Sequence, residues 1–275
     1  MKKAIALLRA THPEPTAAVT LFCTATALAA GLGIRSVLLA AAVLAGQLSV
    51  GWSNDALDVA RDRAARRSDK PLPRGDISRR TAWTAAAAAS GACVPLSLSL
   101  GGLAGATHLV AVASAWSYNL RLKFGLFSWL PYLVSFSLVP PVFVALALPG
   151  NPPPRPLLVA AGGVLGVAAH FANTVPDALA DARTHVRGLP QRIGPRRSAL
   201  VSSALVAVGS VLLLTGTRAA GFAVLASVLA TAVAAGSALL VRSGRSTAAA
   251  FRLALIAIGV LVLGFVVSGG HHLVH

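Results

Sequence analysis

GQLSVGWSNDALDVARDRAARRSDKPLPRGDIS, Gly46 to Ser78, starts inside an apolar run and then turns abruptly to aspartates interleaved with arginine and lysine. An apolar run that ends on such a charged stretch reads as a helix leaving a bilayer. The remainder of the 275-residue chain repeats the signal: 56% of it is hydrophobic and only 12% charged. Its apolar runs reach about 18 residues or more, the length a crossing requires. Backbone in lipid must satisfy its own polar groups, so spans are helices or closed barrels, and these continuous Ala/Leu/Val runs lack the alternation of barrel strands. The expected fold is an all-α polytopic membrane protein.

Nine spans are expected, at 16–34, 36–53, 81–101, 103–120, 129–149, 157–175, 198–216, 219–241 and 251–269, bundled around a central cavity. With the N-terminus in the cytoplasm, all 24 basic residues except Arg35, Arg155 and Arg218 fall on the inner side, as the positive-inside rule asks. The chain is therefore expected in the plasma membrane, multi-pass, with the charged loops cytoplasmic and the C-terminus outside. A formal net charge of +16 needs no nucleic acid to explain it, because the charges sit in short loops beside anionic headgroups. The opening MKKAIALLRATHPEP imitates a secretory leader but is interrupted too early by Arg9, His12 and Pro13, so it is expected to be retained. Cys23 and Cys93 lie in separate spans without metal spacing and read as small apolar fillers. The terminal GGHHLVH reads as an inert or packing tail.

Every aspartate lies in one of two cytoplasmic segments, 54–80 and 176–197. The segments resemble each other, NDALDVARD from Asn54 and PDALADART from Pro176, each following an even-numbered span, the pattern a duplicated four-helix unit would leave. Asp55, Asp58 and Asp62 are spaced i, i+3, i+7, so a continued second span would project all three from one face. Asn173, Asp177 and Asp181, at i, i+4, i+8, are expected to form a second stripe. Like charges so placed repel, and something positive must compensate. For Asp69 and Asp76 ordinary solvated loop charge suffices. For the other five aspartates the partner could be nearby Arg and Lys, such as Arg61 or Arg183, or divalent metal; magnesium fits best, since it takes hard oxygen ligands and bridges one or two carboxylates to phosphates.

These residues carry a family resemblance. NDALDVARD resembles the NDxxDxxxD motif of the UbiA-type intramembrane prenyltransferases, and DKPLPRG (Asp69–Gly75) is similar to their Arg/Lys-Pro-x-Pro-x-Gly segment. NTVPDALADARTHVRGLPQRIG (Asn173–Gly194) resembles the second DxxxD motif, and YNLRLK (Tyr118–Lys123) the Tyr and Lys pair after the fourth span. There are departures. His12, in RATHPEP, stands where the family often has an Arg, with Arg9 nearby, and Tyr118 and Lys123 are five apart where four is usual.

The resemblance implies one domain over residues 1–275 and magnesium-dependent prenyl transfer, from an isoprenyl diphosphate to a small-molecule acceptor, most often aromatic in the family. It implies that Asp55, Asp58, Asp62, Asp177 and Asp181 hold two or three Mg2+ ions, with Tyr118 and Lys123 also catalytic. Asn54, Arg61, Arg67, Lys70, Arg121 and Asn173 would contact the diphosphate, and Arg9 or His12 the acceptor. Phe124, Phe127, Trp129, Tyr132 and Phe136 are candidates to line the cavity or stabilise a carbocation. Two other readings stay open: a membrane terpene cyclase of the same family, which needs no acceptor, and a transporter, which predicts acids near mid-membrane and broken spans.

Overall fold

The structure, a computed structural model, describes residues 2–178, 181, 186–217, 221–245, 247–269 and 273–274. Among them there is no strand, and the chain is a helical membrane protein. A short helix, α1 (Lys2–Arg9), precedes α2 (Pro13–Ala29) and the long α3 (Arg35–Ala64). A single turn, α4 (Pro71–Arg74), leads to α5 (Arg79–Leu98) and α6 (Gly102–Leu120). There follow α7 (Leu130–Ser137), a wide turn at Leu138–Val142, α8 (Phe143–Ala147) and α9 (Pro156–Thr174). The last elements are α10 (Leu189–Ile193), α11 (Pro195–Thr217), α12 (Phe222–Arg242) and α13 (Thr247–Gly269).

Helices overlap the nine expected spans, but among the described residues six segments are long and apolar enough to cross a bilayer, Arg35–Ala64, Leu130–Ala147, Pro156–Thr174, Pro195–Thr217, Phe222–Arg242 and Ala249–Val267, which leaves the expected spans 16–34, 81–101 and 103–120 outside that set. Large apolar side chains such as Leu21, Val37, Leu225, Val228 and Leu263 remain more than half exposed on the outer faces, the surface lipid would cover. Local chemistry sets the ends. Proline occupies the first turn of α2, α7 and α9, where its missing N–H costs nothing. Ser78 Oγ accepts the Thr81 N–H at 3.0 Å and caps α5. Arg35 donates to the carbonyls of Ala147 (3.1 Å) and Leu100 (2.9 Å), and Arg155 to that of Gly216 (2.7 Å), so these two arginines close helix C-termini.

The fifth expected span, 129–149, is not one helix. Pro140 and Pro141 remove two backbone donors, and Val139 takes extended angles (φ −122°, ψ 117°), so α7 and α8 are separate segments. The histidines of the C-terminal tail, His271, His272 and His275, lie outside the described residues, as does Arg183. Leu273 between them is buried, and its carbonyl accepts the Arg155 N–H at 3.0 Å.

Close packing relies on small residues. A Cβ on Gly162 would stand 2.4 Å from the Phe136 carbonyl oxygen, and one on Gly166 2.5 Å from Phe136 Cβ. This GxxxG pair lets α9 lie directly against α7. Toward the acidic end of α3, a Cβ on Gly51 would come within 2.5 Å of the Thr11 carbonyl oxygen. The N-terminal segment therefore crosses α3 in contact with its backbone, held by Trp52 Nε1 donating to the Leu7 carbonyl at 2.9 Å and by an apolar cluster of Ala6, Ala10, Ala56, Val59 and Leu72.

Gly51→Ala should force α1 off α3, at a cost of about 1–3 kcal/mol typical of overpacking. The expected outcome is faster proteolytic cleavage near residues 9–14 in the purified variant, with the rest of the bundle intact; an unchanged cleavage rate would mean the crossing is looser than described.

Candidate functional site

Helix α3 continues unbroken from its apolar half to Ala64, so Asp55, Asp58 and Asp62 do share one stripe. All three are buried, at 2%, 5% and 4% exposure, in a helix face that no solvent can neutralise. Each carboxylate therefore finds a cation. Lys70 Nζ donates to Asp55 Oδ1 at 2.9 Å and stands 2.9 Å from Asp62 Oδ2, there as an ion contact without hydrogen-bond alignment. Arg61 Nη2 donates to Asp58 Oδ2 at 2.6 Å, and Lys123 Nζ donates to Asp58 Oδ1. His12 Nε2 lies 3.0 Å from Asp55 Oδ1 and 3.4 Å from Asn54 Nδ2, its backbone in the left-handed region (φ 55°) as the chain turns from α1 into α2.

The second segment is built differently from expectation. Helix α9 stops at Thr174, because Pro176 cannot donate to the Ala172 carbonyl; that oxygen takes the Val175 N–H at 3.1 Å instead. Asn173 is exposed and does not share a continuous helical stripe with Asp177; its side chain reaches the Tyr132 hydroxyl. Asp177 and Asp181 stay one turn apart through a 2.8 Å bond from the Asp181 N–H to the Asp177 carbonyl. Gln191 Nε2, from α10, donates to Asp181 Oδ2 at 2.9 Å.

Arg67 joins the two segments. Its Nη1 donates to Asp177 Oδ1 at 2.9 Å, while Nε and Nη2 grip Asp69 in a two-pronged pair, both at 2.9 Å. Asp69, read from sequence as mere loop charge, thus orients the one side chain that spans from 67 to 177. Asp76 does fit that reading, pairing at the surface with Arg74 at 3.1 Å.

The remaining candidates separate. Helix α6 ends at Leu120, Arg121 leaves helical angles (φ −147°), and a single 3-10 turn, Leu122–Phe124, brings Lys123 inward. Arg121 is exposed and so is Arg9, which donates weakly to the Asp69 carbonyl at 3.4 Å. Tyr118 packs edge-on to Tyr132 (5.2 Å between centroids) and His170 (5.6 Å), within electrostatic reach of Asp58, Arg61 and Asp181. Phe136 stacks beyond Tyr132, whereas Phe127 is 63% exposed and Phe124 lies beside Lys123. Sequence reasoning passed over Gln191, which holds Asp181, and Asn119, which donates to the Val50 carbonyl (2.9 Å) and Ser53 Oγ (3.1 Å) and locks α6 to α3 just below the acids. An Asn beside the Tyr–Lys motif is the sole sequence trace of that lock.

The electrostatics follow from the pairings. Burial alone would depress the Lys70 ammonium, but Asp55 and Asp62 outweigh it and hold its pKa above the ordinary lysine value. Burial wins at Lys123, lowering its pKa in spite of Asp58, with Arg61 and Lys70 pushing the same way. The Arg67 hydrogen bonds hold Asp69 below the usual carboxylate range, while burial first, and then the Asp177 charge, raise Asp181 against the Gln191 hydrogen bond. Among the described residues no three His, Cys, Asp or Glu side chains converge on one point, so there is no preformed cage. Five hard carboxylates around one mouth, with Arg61 Nη1 buried and lacking a hydrogen-bond partner, fit magnesium arriving with an anionic ligand, since that ion needs only one or two carboxylates beside phosphate and water.

The chain matches the UbiA prenyltransferase family over residues 15–259. A UbiA homolog from Aeropyrum pernix K1 superposes with a TM-score of 0.75 at 22% identity, over 92% of this chain and 98% of that one. A UbiA homolog from Archaeoglobus fulgidus bound to GPP and Mg2+ gives 0.71 at 20%, over 95% and 97%. A digeranylgeranylglyceryl phosphate synthase structure gives 0.69 at 17%, over 98% and 99%. No curated protein sequence matches significantly.

Lys70→Met should leave Asp55 and Asp62 without their shared cation, a break of buried pairing that typically costs about 3–5 kcal/mol. A raised lysine pKa stabilises the fold below its unfolded value, about 10.4, and that contribution fades only as pH climbs through the raised folded value. Thermal melts should accordingly show wild type well above the variant at neutral pH, the two curves closing only in strong alkali.

Proposed function

Since the chain belongs to the UbiA prenyltransferase family, we propose that it transfers a prenyl group from an allylic diphosphate to a small-molecule acceptor, at the cytoplasmic mouth of a plasma-membrane bundle, with Mg2+ as its metal. The observation that carries this reading is the Arg67 bridge: Asp69 and Asp177, one from each acidic segment, meet at one mouth, tied through a single guanidinium. The Archaeoglobus relative with GPP and Mg2+ supports the same ligand class.

When bound, Mg2+ would offset the diphosphate charge and link it to Asp55, Asp58, Asp62, Asp177 and Asp181. Lys70, Lys123 and Arg61 stand on those carboxylates without ligand. A metal-bearing diphosphate lets them exchange carboxylate for phosphate oxygen, so cations already desolvated meet the charge that grows as the allylic C–O bond breaks and its electron pair leaves with the diphosphate. Arg61 Nη1, buried and unpartnered, supplies a donor that needs no exchange. Asp69 and Gln191 keep Arg67 and Asp181 in position. Below the mouth, the faces of Tyr118, Tyr132 and Phe136 border the space in which the allylic cation forms. His12, on Asp55 at the protein surface, is the stronger acceptor contact of the two candidates, because Arg9 points away to Asp69. The carboxylates sit at helix ends, and the Pro140–Pro141 break lies far from them in sequence, an arrangement that favours an enzyme over a transporter.

Calorimetry with magnesium pyrophosphate should give saturable binding that Arg61→Ala weakens about 10- to 100-fold, the worth of a hydrogen bond to a charged group. With geranylgeranyl diphosphate and Mg2+, pyrophosphate release should require an acceptor-containing lipid extract and vanish in Asp58→Asn and Asp177→Asn. Hydrocarbon product without extract would point instead to the cyclase.

A further inference from the structure

A cavity of about 40 Å3 lies between α3, α6 and α7, lined by Gln47, Val50, His108, Val112, Ser135 and Phe136 among others. Along α3, Val50 and Gln47 precede Asp55 by five and eight residues, which puts the cavity about 7–12 Å beneath the carboxylate mouth at 1.5 Å per residue. A water needs roughly 10–15 Å3 by this kind of measure, so the space admits a small polar group rather than an isoprenoid tail.

The group that gives this cavity chemistry is His108, 2% exposed and stacked on the buried Phe143 ring at 4.6 Å. Its Nδ1 lies 2.7 Å from Ser97 Oγ. Ser97 Oγ also lies 2.6 Å from the Cys93 carbonyl, and with Cys93 Sγ a more distant neighbour of Nδ1 at 4.0 Å, the hydroxyl proton is assigned to that carbonyl. Ser97 Oγ then accepts, and His108 Nδ1 carries the ring proton. The other tautomer would bury an Nε2–H with no acceptor among the described residues, the costlier defect, since buried donors are orphaned less often than acceptors. Nε2 is left as a bare lone pair. Its edge is uncovered because position 46 is glycine: a Cβ there would stand 3.3 Å from Nε2. Ser135 Oγ, across the cavity, has likewise spent its proton, on the Ala111 carbonyl at 2.9 Å. Both atoms accept and neither can donate.

We propose that His108 Nε2 accepts a hydrogen bond from an O–H group of the hydrophobic co-substrate, a phenol or an alcohol, and so selects hydroxylated acceptors over hydrocarbons of the same shape. Ser97 is its positioning residue, fixing the tautomer. The assignment rests on the prenyl-transfer reading for the identity of the ligand as co-substrate, while the acceptor site itself rests on the cavity.

The test uses the full chain in nanodiscs, labelled with 15N in the imidazoles, titrated separately with phenol and with benzene; the His108 signals are identified by their loss in His108→Phe. In wild type an unprotonated Nε2 signal should move with phenol and stay still with benzene. The ratio of phenol to benzene affinity should fall about tenfold in His108→Phe, which keeps the stack on Phe143 and removes the acceptor. Ser97→Ala should mix the tautomers, and Gly46→Ala should block the phenol response by covering Nε2. A protonated Nε2 in wild type, or an affinity ratio equal in wild type and His108→Phe, overturns the proposal without needing any variant beyond that one. Magnesium pyrophosphate binding is measured on the same samples: it should be the same in wild type and His108→Phe. Its absence from wild type would overturn the prenyl-transfer reading, a failure separate from that of the His108 site.

Discussion

Three aspartates on one buried helical face cannot stand unneutralised in a low-dielectric boundary, and the acidic end of this protein is arranged around that constraint. Lys70 returns from the loop after α3 to serve two of them, Lys123 arrives from the end of α6 to serve the third, and Arg67 carries the connection on to Asp177. Buried ion pairs of this kind add little net stability, because desolvation consumes most of the attraction. In the proposed reaction their value lies in being exchangeable, each cation passing from its carboxylate to a phosphate oxygen.

Such exchange needs the surrounding backbone to hold still. Gly51 lets the N-terminal segment cross α3 closely enough to put His12 on Asp55, and Gly162 with Gly166 bring α9 against α7, where Tyr132 and Phe136 continue from Tyr118 toward the small cavity. Asn119 fastens α6 to α3 between the mouth and that cavity. Small residues and buried amides thus do the positioning of the charged residues to which the proposed chemistry falls.

Much of this was legible in the chain. Apolar run length set the helical membrane class, because lipid permits few backbone solutions. The i, i+3, i+7 spacing put Asp55, Asp58 and Asp62 on one face, and that held because nothing in Asn54–Ala64 breaks a helix. The same logic failed at Asn173, where Pro176 ends α9, and at the fifth span, where two prolines split the helix. Motif resemblance named Lys123, but spacing could not place it, because its inward turn depends on α6 stopping at Leu120 rather than on its distance from Tyr118.

The sequence by itself determined the fold class and the family, and it singled out the carboxylates proposed for the site, since each is written in local periodicity and short motifs. Only the tertiary structure decided which cation meets which acid, that Asp69 steers Arg67, that Gln191 holds Asp181, and that His108 keeps one nitrogen bare above a cavity. Those contacts join residues from 2 to 110 positions apart or are set by a shared proton, and no one-dimensional pattern encodes which of them form: they exist only once helices of particular length and tilt have packed.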